Sequence, residues 1–434
     1  MASFDDDYDL RTFDPALVDG VPDDRTRDWL AATRIAFHQS NSDAAVLEGA
    51  LGAIDDGRVF TGVYAKEPLP GSLAETWPVG TYTGYTKTID VGGGILVDSY
   101  LISDVTVRPT HKRRGMLRHL MTDRLAAAAA DGLALAALTA SESTIYRRFG
   151  FGPAVRNRSV RLRRDRPFGL HVKPAGRVEL ADAASLGTVA RAVFAGYHAR
   201  TPGSVDRQKQ FWDRVLGLKT DEGKPDESVR AAVHYAPTAE GEAPGAIDGY
   251  VTYRMKEEGR LSVLEVVDLV GADANAYLGL WNFLGRVDLV DAIEYRHGAV
   301  DTALLHALVD SRTLETTREA DHIWLRVLDP ITALSARPYA LDGSLVLRIH
   351  DDLGYCEGTF TLAVEGGTGT LTETGDALPD LELDAATLAS LYLGGVSAGV
   401  LAEAGLIVAH ADGAVARASA LFAPDRPVDC ITDF

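Results

Sequence analysis

A chain of 434 residues is too long for one ordinary hydrophobic core, and its length predicts two or three domains. Its 46% hydrophobic and 24% charged residues are typical of a well-packed protein, and no run of about eighteen apolar residues indicates a membrane span. A formal net charge of −19 argues against a nucleic-acid partner, because phosphate binding needs a basic face, and favours cationic partners or substrates.

The N-terminal residues, the cysteines and the histidines predict a cytoplasmic protein without a bound metal. The start, MASFDDDYDL, is acidic where a secretory signal needs a basic region and then an apolar one. Cys356 and Cys430 are the only cysteines, and neither has metal-ligand spacing. The eleven histidines are scattered, with no HExxH pair, so we expect no metal site. The acidic composition also fits simple solubility, so the net charge has two open interpretations: attraction of cationic substrates, and solubility alone.

Residues 1–160 are predicted to form a first unit that begins with a helix and continues as a sheet. The helix is RTRDWLAATRIAFHQ, whose apolar residues share one face. Strand-like segments follow at 58–65, 80–89 and 94–107. After a basic loop come an alanine-rich helix and a buried strand at 133–140.

Residues 161–322 and 323–434 are predicted to form a second and a third unit. The arginine-rich run at 156–167 is predicted to be an edge strand and linker. The strand LSVLEVVDLV resembles the strand that ends in DVTV, but the helix after it has neither the arginines nor the glycine, which indicates a degenerate internal copy. Hairpin-like strands and short helices after residue 323 indicate a separate α+β domain.

The basic loop THKRRGMLRHL carries the strongest chemical signal. Thr110 is expected to cap the helix, whose first turn is expected to contain Arg113, Arg114 and Gly115. A glycine without a Cβ lets a ligand approach the backbone amides. Free N–H groups, the helix dipole and arginine side chains together predict a diphosphate site. The alternative is ordinary surface charge near a helix start.

Two stretches, VTVRPTHKRRGMLR (105–118) and ASESTIYRRFGFGPA (140–154), carry a family resemblance. The first is similar to the phosphate loop of GCN5-related N-acetyltransferases (GNAT), although Lys112 and Leu117 depart from its general pattern. Together the two stretches resemble the Eis-type (enhanced intracellular survival) branch. Eis-type proteins also have a second GNAT-like domain without the loop, a sterol-carrier-type C-terminal domain and a final acidic residue followed by phenylalanine, as in Asp433-Phe434. The resemblance therefore covers nearly the whole chain.

This resemblance implies an α+β fold of tandem GNAT domains, the second degenerate, followed by a sterol-carrier-protein-like domain. It also implies an acetyl-CoA-dependent N-acetyltransferase. The backbone of residues 105–107 is expected to pair with the pantetheine arm of the coenzyme, which would take the place of an added strand. The residues that the resemblance assigns to acetyl-CoA binding are Val105, Thr106, Val107, Arg113, Arg114, Gly115, Met116, Leu117, Arg118, Ser141 and Glu142.

The resemblance assigns two catalytic groups, Tyr146 and the terminal carboxylate of Phe434. Tyr146 would protonate the departing thiolate, since an ordinary tyrosine pKa of about 10 lies close to that of a thiol. A buried core tyrosine is the alternative. The carboxylate of Phe434 would be the general base, its intrinsic pKa of about 3.5 raised by burial. A frayed, idle terminus is the alternative.

The implied acceptors are polycationic primary amines, aminoglycosides above all, with peptide lysines as a further class. The resemblance thus implies a role in antibiotic resistance, and it also implies a hexamer. Candidates for the acceptor pocket are Trp29, Phe37, Glu48 and Trp77. Two other functions stay open from the residues alone: a GNAT-fold protein that binds CoA without catalysis, and a lipid carrier that works through its third domain.

Overall fold

The computed structural model describes residues 4–67, 69–239 and 242–434, which contain nineteen strands and thirteen α-helices. The strands are β1 Tyr8–Phe13, β2 Leu17–Val18, β3 Val21–Pro22, β4 Val59–Ala65, β5 Gly80–Asp90, β6 Leu96–Val107, β7 Leu135–Thr139, β8 Gly152–Arg163, β9 Arg177–Ala181, β10 Arg230–Tyr235, β11 Ile247–Glu258, β12 Leu261–Gly271, β13 Ala292–Ala299, β14 Leu314–Val327, β15 Gly343–His350, β16 Gly358–Glu365, β17 Thr368–Glu373, β18 Leu381–Asp384 and β19 Ile407–Ala409. The helices are α1 Phe4–Asp7, α2 Asp24–Ala36, α3 Asp43–Asp55, α4 Met116–Ala130, α5 Ser143–Tyr146, α6 Gly187–His198, α7 Lys209–Val215, α8 Ala274–Leu284, α9 Ala303–Ala307, α10 Pro330–Ala336, α11 Ala385–Tyr392, α12 Ala398–Glu403 and α13 Ala414–Leu421. None of these helices is long and apolar enough to cross a membrane.

A single twelve-stranded sheet joins the first two predicted units. Its order is β1-β4-β5-β6-β7-β14-β8-β13-β12-β11-β10-β9. The predicted boundaries after residues 160 and 322 fall inside β8 and β14, two neighbouring strands at the middle of this sheet. The division into residues 1–160, 161–322 and 323–434 therefore remains a prediction.

The prediction that the arginine-rich run is an edge strand and linker is wrong. Most of it belongs to β8, which pairs with β13 on one side and β14 on the other. Its arginines are accommodated in the sheet because acidic side chains of other strands pair with them. Arg161 pairs with Glu258 at 2.8 Å and Glu294 at 2.7 Å, and Arg158 pairs with Glu319 at 2.9 Å. Val160 and Leu162 of β8 are buried in the apolar core of the second unit.

The other predicted elements of the first unit are found near their predicted bounds. The N-terminal helix is α2, and the three strand-like segments are β4, β5 and β6. Helix α3 was not predicted; it begins after Ser42, whose side chain caps it, and packs against α2 through Val46 and Ala50. The alanine-rich helix is α4, and it lies on the sheet through Leu120, Met121 and Leu125.

The third unit is a five-stranded sheet of order β17-β16-β15-β18-β19 with four helices. Large apolar side chains fill its interior, where Leu347, Leu362 and Tyr392 are fully buried. Helix α11 packs against β8 and β14 of the large sheet. At this contact Gly152 lies against the carbonyl of Ala386, where an added Cβ would lie 1.9 Å from the oxygen. The third unit is thus joined closely to the sheet that carries the site.

Candidate active site

The site begins where two parallel strands of the first unit separate. β6 pairs with β7 from Ser99 to Ile102, and within the described residues this pairing ends at Ile102 and Leu138. β6 continues to Val107 while bonded only to β5 on its other side. A β-bulge at Asp104, which has a φ of 53°, turns this part of the strand. We call the opening between residues 103–107 and Thr139 the cleft.

The backbone of Val105, Thr106 and Val107 forms one wall of the cleft. All three residues are half-buried, and the two valine side chains pack into the apolar core beside α4. The hydroxyl groups of Thr106 and Thr81 lie 2.6 Å apart across the β5–β6 pair. Because the side chains are engaged elsewhere, the backbone groups of residues 105–107 are what remain to face the cleft, and their pairing with a pantetheine arm stays a prediction.

The phosphate loop, residues 111–118, follows the cleft with a conformation that differs from the predicted one. Thr110 does not cap α4; it lies in a 3₁₀ turn and hydrogen bonds to His111 at 2.9 Å. The helix begins at Met116, so Arg113 and Gly115 precede it. Both have left-handed backbones, with φ of 65° and 84°. An added Cβ at Gly115 would have room, since its nearest contact, in His119, would lie 3.8 Å away. It is the positive φ of this residue that favours glycine.

The N-terminus of α4 has the properties of an anion site. Gly115 occupies the capping position, so the first amide groups of α4 receive no hydrogen bond from a capping side chain. Arg113 and Arg118 are exposed beside it, and the exposed Arg114 donates to the Tyr8 hydroxyl at 2.9 Å. Met116 is buried in the core and Leu117 is half-buried, so these two residues contribute their backbone.

The matching helix of the second unit lacks this property. α8 begins after Asp273, whose carboxylate accepts from the amide of Ala276 at 2.8 Å. A carboxylate at that position already stabilises the positive end of the helix and would repel a second anion. The start of α8 is therefore poorly suited to binding a diphosphate.

Tyr146 is the last residue of the short helix α5 and lies in the same apolar core as the start of α4. It is 6% exposed, and its ring packs edge-on against Phe151 with 6.2 Å between centroids. Burial, with a smaller contribution from Glu142, raises the pKa of Tyr146 to about 12. The hydroxyl is therefore protonated throughout the neutral range.

Ser141 and Glu142 form the exposed turn between β7 and α5. Glu142 takes the capping position of α5 but makes no side-chain cap. Both side chains are thus exposed at the mouth of the cleft, where the resemblance expects the coenzyme to pass.

The C-terminal segment 423–434, which we call the tail, is ordered and enters the site. Four consecutive residues from Asp429 to Thr432 are 9% exposed or less. Thr432 donates to the carbonyl of Val205 at 2.9 Å, and Gln208 donates to the carbonyl of Asp433. At the end of the tail, the Thr139 hydroxyl donates to a main-chain oxygen of Phe434 at 2.9 Å. Phe434 therefore lies at the point where β6 and β7 separate.

A cavity of about 390 Å³ opens next to Phe434, and we call it the acceptor cavity. Its lining combines residues of α2, α3, α7 and the tail. Five acidic side chains and four basic ones line it: Glu48, Asp104, Asp213, Asp221, Asp433, Arg34, Arg58, Arg214 and Lys219. Several of these charges pair with one another, as Lys219 does with Glu48 at 3.0 Å.

One of the four predicted acceptor residues, Glu48, lines this cavity. Trp29 is fully buried, stacks on Phe60 and donates to the carbonyl of Thr61, so it belongs to the core. Phe37, beyond the end of α2, and Trp77 are not among the lining residues. Most of the lining was not predicted, and part of it, including Gln208, Arg214 and Lys219, comes from the second unit.

Two histidines contact the tail beside Phe434. Nε2 of His322 lies 3.1 Å from the carbonyl of Thr432, and Nε2 of His297 lies 3.5 Å from a carboxylate oxygen of Asp433. Burial lowers the pKa of both imidazoles below the ordinary value, against the opposing effect of Asp433. Both rings are therefore neutral at pH 7.

Comparison with known proteins gives the same three-part organisation. Models of an acetyltransferase (GNAT) domain match residues 18–154 and 203–327, and the model of a sterol carrier protein domain matches residues 331–430. Tandem acetyltransferase domains followed by a sterol-carrier domain are the fold that the sequence predicted, so that prediction is confirmed.

Relatives are similar over most of the chain. An uncharacterized N-acetyltransferase of Streptomyces griseus is 34% identical over 81% of this chain and 86% of its own length. The N-acetyltransferase Eis of Mycobacterium tuberculosis is 32% identical over 80% of this chain and 83% of its own length. The crystal structure of Eis1 from Mycobacterium abscessus has a TM-score of 0.79 and 28% identity, and the match covers 98% of this chain and 100% of that chain.

Proposed function

The chain belongs to the Eis-type N-acetyltransferases of the GNAT superfamily, with acetyl-CoA as co-substrate, and from that premise we propose that it acetylates primary amines of polycationic acceptors. Aminoglycosides are the first class of acceptor and peptide lysines the second. The alternatives of a CoA-binding protein without catalysis and of a lipid carrier lose their support, because relatives over four-fifths of the chain are N-acetyltransferases.

The observation that carries the proposal is the hydrogen bond from Thr139 to Phe434. It holds the end of the tail between the cleft and the acceptor cavity. An amine in the cavity and a thioester in the cleft would meet at this point. The terminal carboxylate of Phe434 would then accept a proton from the amine as its nitrogen attacks the thioester carbonyl.

The structure fits acetyl-CoA at both ends of the cleft. The uncapped N-terminus of α4, with Arg113, Arg114 and Gly115, suits the diphosphate, and the free backbone beyond Ile102 suits the pantetheine arm. Backbone N–H groups at the bulge would stabilise the oxyanion. As the C–N bond forms and the C–S bond breaks, Tyr146 would give its proton to the departing sulfur.

The raised pKa of Tyr146 is compatible with this role. A thiolate in the same cleft is also removed from water, and burial raises thiol pKa values in this protein as well. The buried thiol of Cys430, for example, has a pKa raised to about 12. A coenzyme thiolate that leaves in an equally buried environment would have its own pKa raised, which would bring the pKa values of donor and acceptor closer together.

The acidic side chains that line the acceptor cavity should attract acceptors that carry several positive charges. With acetyl-CoA saturating, kanamycin should be acetylated with a kcat/KM at least about tenfold above that of glucosamine, which has one amine. The preference should shrink at high salt, because the charges are partly exposed. Product masses measure acetylation directly and show how many amines react. Equal kcat/KM values for kanamycin and glucosamine at every salt concentration would overturn the proposed preference for polycations.

The phosphate loop can be tested separately from the chemistry. Arg113→Gln should raise KM for acetyl-CoA by about 10–100-fold with little change in kcat, since a charge-assisted hydrogen bond contributes about 1.5–3 kcal/mol to binding. Steady-state kinetics at saturating amine measure both constants. Arg27→Gln, an equally exposed arginine on α2, is the matched control and should leave KM unchanged. A normal KM for Arg113→Gln would remove this residue from the diphosphate site.

We also propose, from the family resemblance, a hexameric assembly and a cytoplasmic location. Sedimentation velocity of the full chain measures the first. The three predicted units, with boundaries after residues 160 and 322, complete the proposal.

A further inference from the structure

Two β-bulges aim histidine side chains at the end of the tail. On β13, Tyr295 pairs with Val160 of β8 and Gly298 pairs with Arg158, so an extra residue is accommodated where His297 lies. On β14, Asp321 pairs with Arg156 of β8 and Ile323 with Val155, so His322 is the extra residue. Bulges next to active sites often redirect a side chain. Here two of them, on the strands that flank β8, turn imidazoles towards Asp433.

The three side chains converge on a small volume. Nε2 of His297 lies 3.5 Å from one carboxylate oxygen of Asp433, and Nε2 of His322 lies 3.8 Å from the other. Within the described part of the chain, this is the one group of three such side chains whose ligand atoms all lie within 4.8 Å of one another. Among the described residues, the buried Nδ1 of His297 has no hydrogen-bond partner, and the ring lies beside those of Tyr295 and His322.

We propose that His297, His322 and Asp433 form a binding site for a divalent transition-metal ion, with Zn²⁺ as the occupant. Two imidazoles and a carboxylate are ligands that Zn²⁺ prefers, and three protein ligands leave a fourth position for water. The sequence did not predict this site, because the ligands lie far apart along the chain and only the fold brings them together.

Small movements would complete the coordination. Ligand atoms about 2.1 Å from a zinc ion lie about 3.4 Å apart in a tetrahedral site, somewhat closer than here. The carboxylate of Asp433 is the group that can move, because its side chain is 47% exposed and stands one residue from the end of the tail. His322 would release the carbonyl of Thr432 and carry its proton on Nδ1.

Zinc at this site would inhibit acetyl transfer. The positive charge of the ion, one residue from Phe434, would lower the basicity of the terminal carboxylate, which would then accept a proton from the amine less readily. This consequence rests on the proposed role of Phe434, whereas metal binding itself does not.

Binding is tested first, with the full chain and Zn²⁺ alone. Equilibrium dialysis followed by elemental analysis should find one high-affinity zinc per chain. His297→Gln and Asp433→Asn should each weaken that affinity by at least about 100-fold. Co²⁺ in the same site should give the intense visible absorption of a four-coordinate ion, and both variants should lose it. Thermal melting confirms that the variants are folded; Asp433→Asn, at the end of the tail, carries little risk to folding.

A second histidine pair supplies the matched control. His350 and His410 both bond to Glu382 on the surface of the third unit, at 2.8 and 3.0 Å. His350→Gln/His410→Gln should leave the high-affinity zinc in place. Loss of zinc in this control, or retention in His297→Gln, would overturn the proposed site.

Acetylation in the presence of zinc tests the consequence. Acetylation rates are measured by product mass with and without zinc. One equivalent of Zn²⁺ should strongly inhibit the wild type, whereas the rate of His297→Gln should be the same with and without zinc. Zinc binding without inhibition of a working enzyme would overturn the coupling to Phe434. Zinc binding by a protein that acetylates no amine would uphold the site and overturn the proposed function.

Discussion

Tyr146→Phe is expected to lower kcat by about 10²–10⁴-fold, the range typical of a lost general acid, with KM for acetyl-CoA nearly unchanged. The substitution removes one hydroxyl and keeps the ring that packs edge-on against Phe151. Because burial raises the pKa of Tyr146 to about 12, the wild-type hydroxyl keeps its proton well above pH 10. Ionisation of Tyr146 should therefore not reduce kcat between pH 8 and pH 10.

Tyr100→Phe is the matched control for this experiment. Tyr100 packs against the same apolar core, and its ring lies 6.5 Å from that of Tyr82. Its loss tests whether any hydroxyl removed from this core slows the enzyme. Thermal melting of both variants separates stability from catalysis. A kcat for Tyr146→Phe within about threefold of the wild type would exclude Tyr146 as the acid.

Local patterns along the chain predicted the elements that depend on local interactions. The strand that ends at Val107 and the stripe of Leu120, Met121 and Leu125 on α4 need only residues close in sequence. The start of α4 was misplaced by three residues. Arg113 adopts a left-handed backbone that non-glycine residues rarely take, and no local pattern distinguishes such a residue from the first turn of a helix.

The central position of β8 could not be predicted, because it depends on contacts between residues far apart in sequence. A run of arginines indicates an exposed edge unless carboxylates face it, and those that face Arg158 and Arg161 are far away in the chain. Glu319 is 161 residues from Arg158, and Glu258 is 97 residues from Arg161. Ion pairs between residues far apart in sequence therefore decide the position of β8, and the local charge pattern does not reveal them.

The lining of the acceptor cavity could not be predicted from local sequence patterns either. Its lining joins α2 and α3 of the first unit to α7 and the 208–221 region of the second, and the tail completes it. The bulges that aim His297 and His322 have no sequence signature either, since a bulge exists only relative to its partner strand. The role predicted for Phe434 came from the family resemblance, and the structure adds the contact with Thr139.

Adding residues after Phe434 is expected to reduce kcat by about 10²-fold or more. An added Gly-Ser-Gly converts the terminal carboxylate to an amide, which cannot accept a proton from the attacking amine. The extension must also leave through the space between Thr139 and the acceptor cavity, where Phe434 ends. Intact mass of the purified protein first establishes that Phe434 bears a free carboxylate.

Two controls separate loss of the base from disruption of the tail. The same three residues added at the N-terminus should leave kcat unchanged. Phe434→Leu keeps the carboxylate and an apolar side chain, so it should retain most of the activity. Acetyl-CoA should bind the extended protein with an unchanged Kd, because the phosphate loop is intact.

The geometry of the tail makes this a demanding test. Residues Asp429 to Thr432 are buried between the two acetyltransferase units and bond to Val205 and His322, so a short extension should leave them in place. An extended enzyme that binds acetyl-CoA, melts like the wild type and still turns over at full rate would show that the proton leaves by another route. A folded enzyme that binds its co-substrate and does not turn over would place the base at the end of the chain.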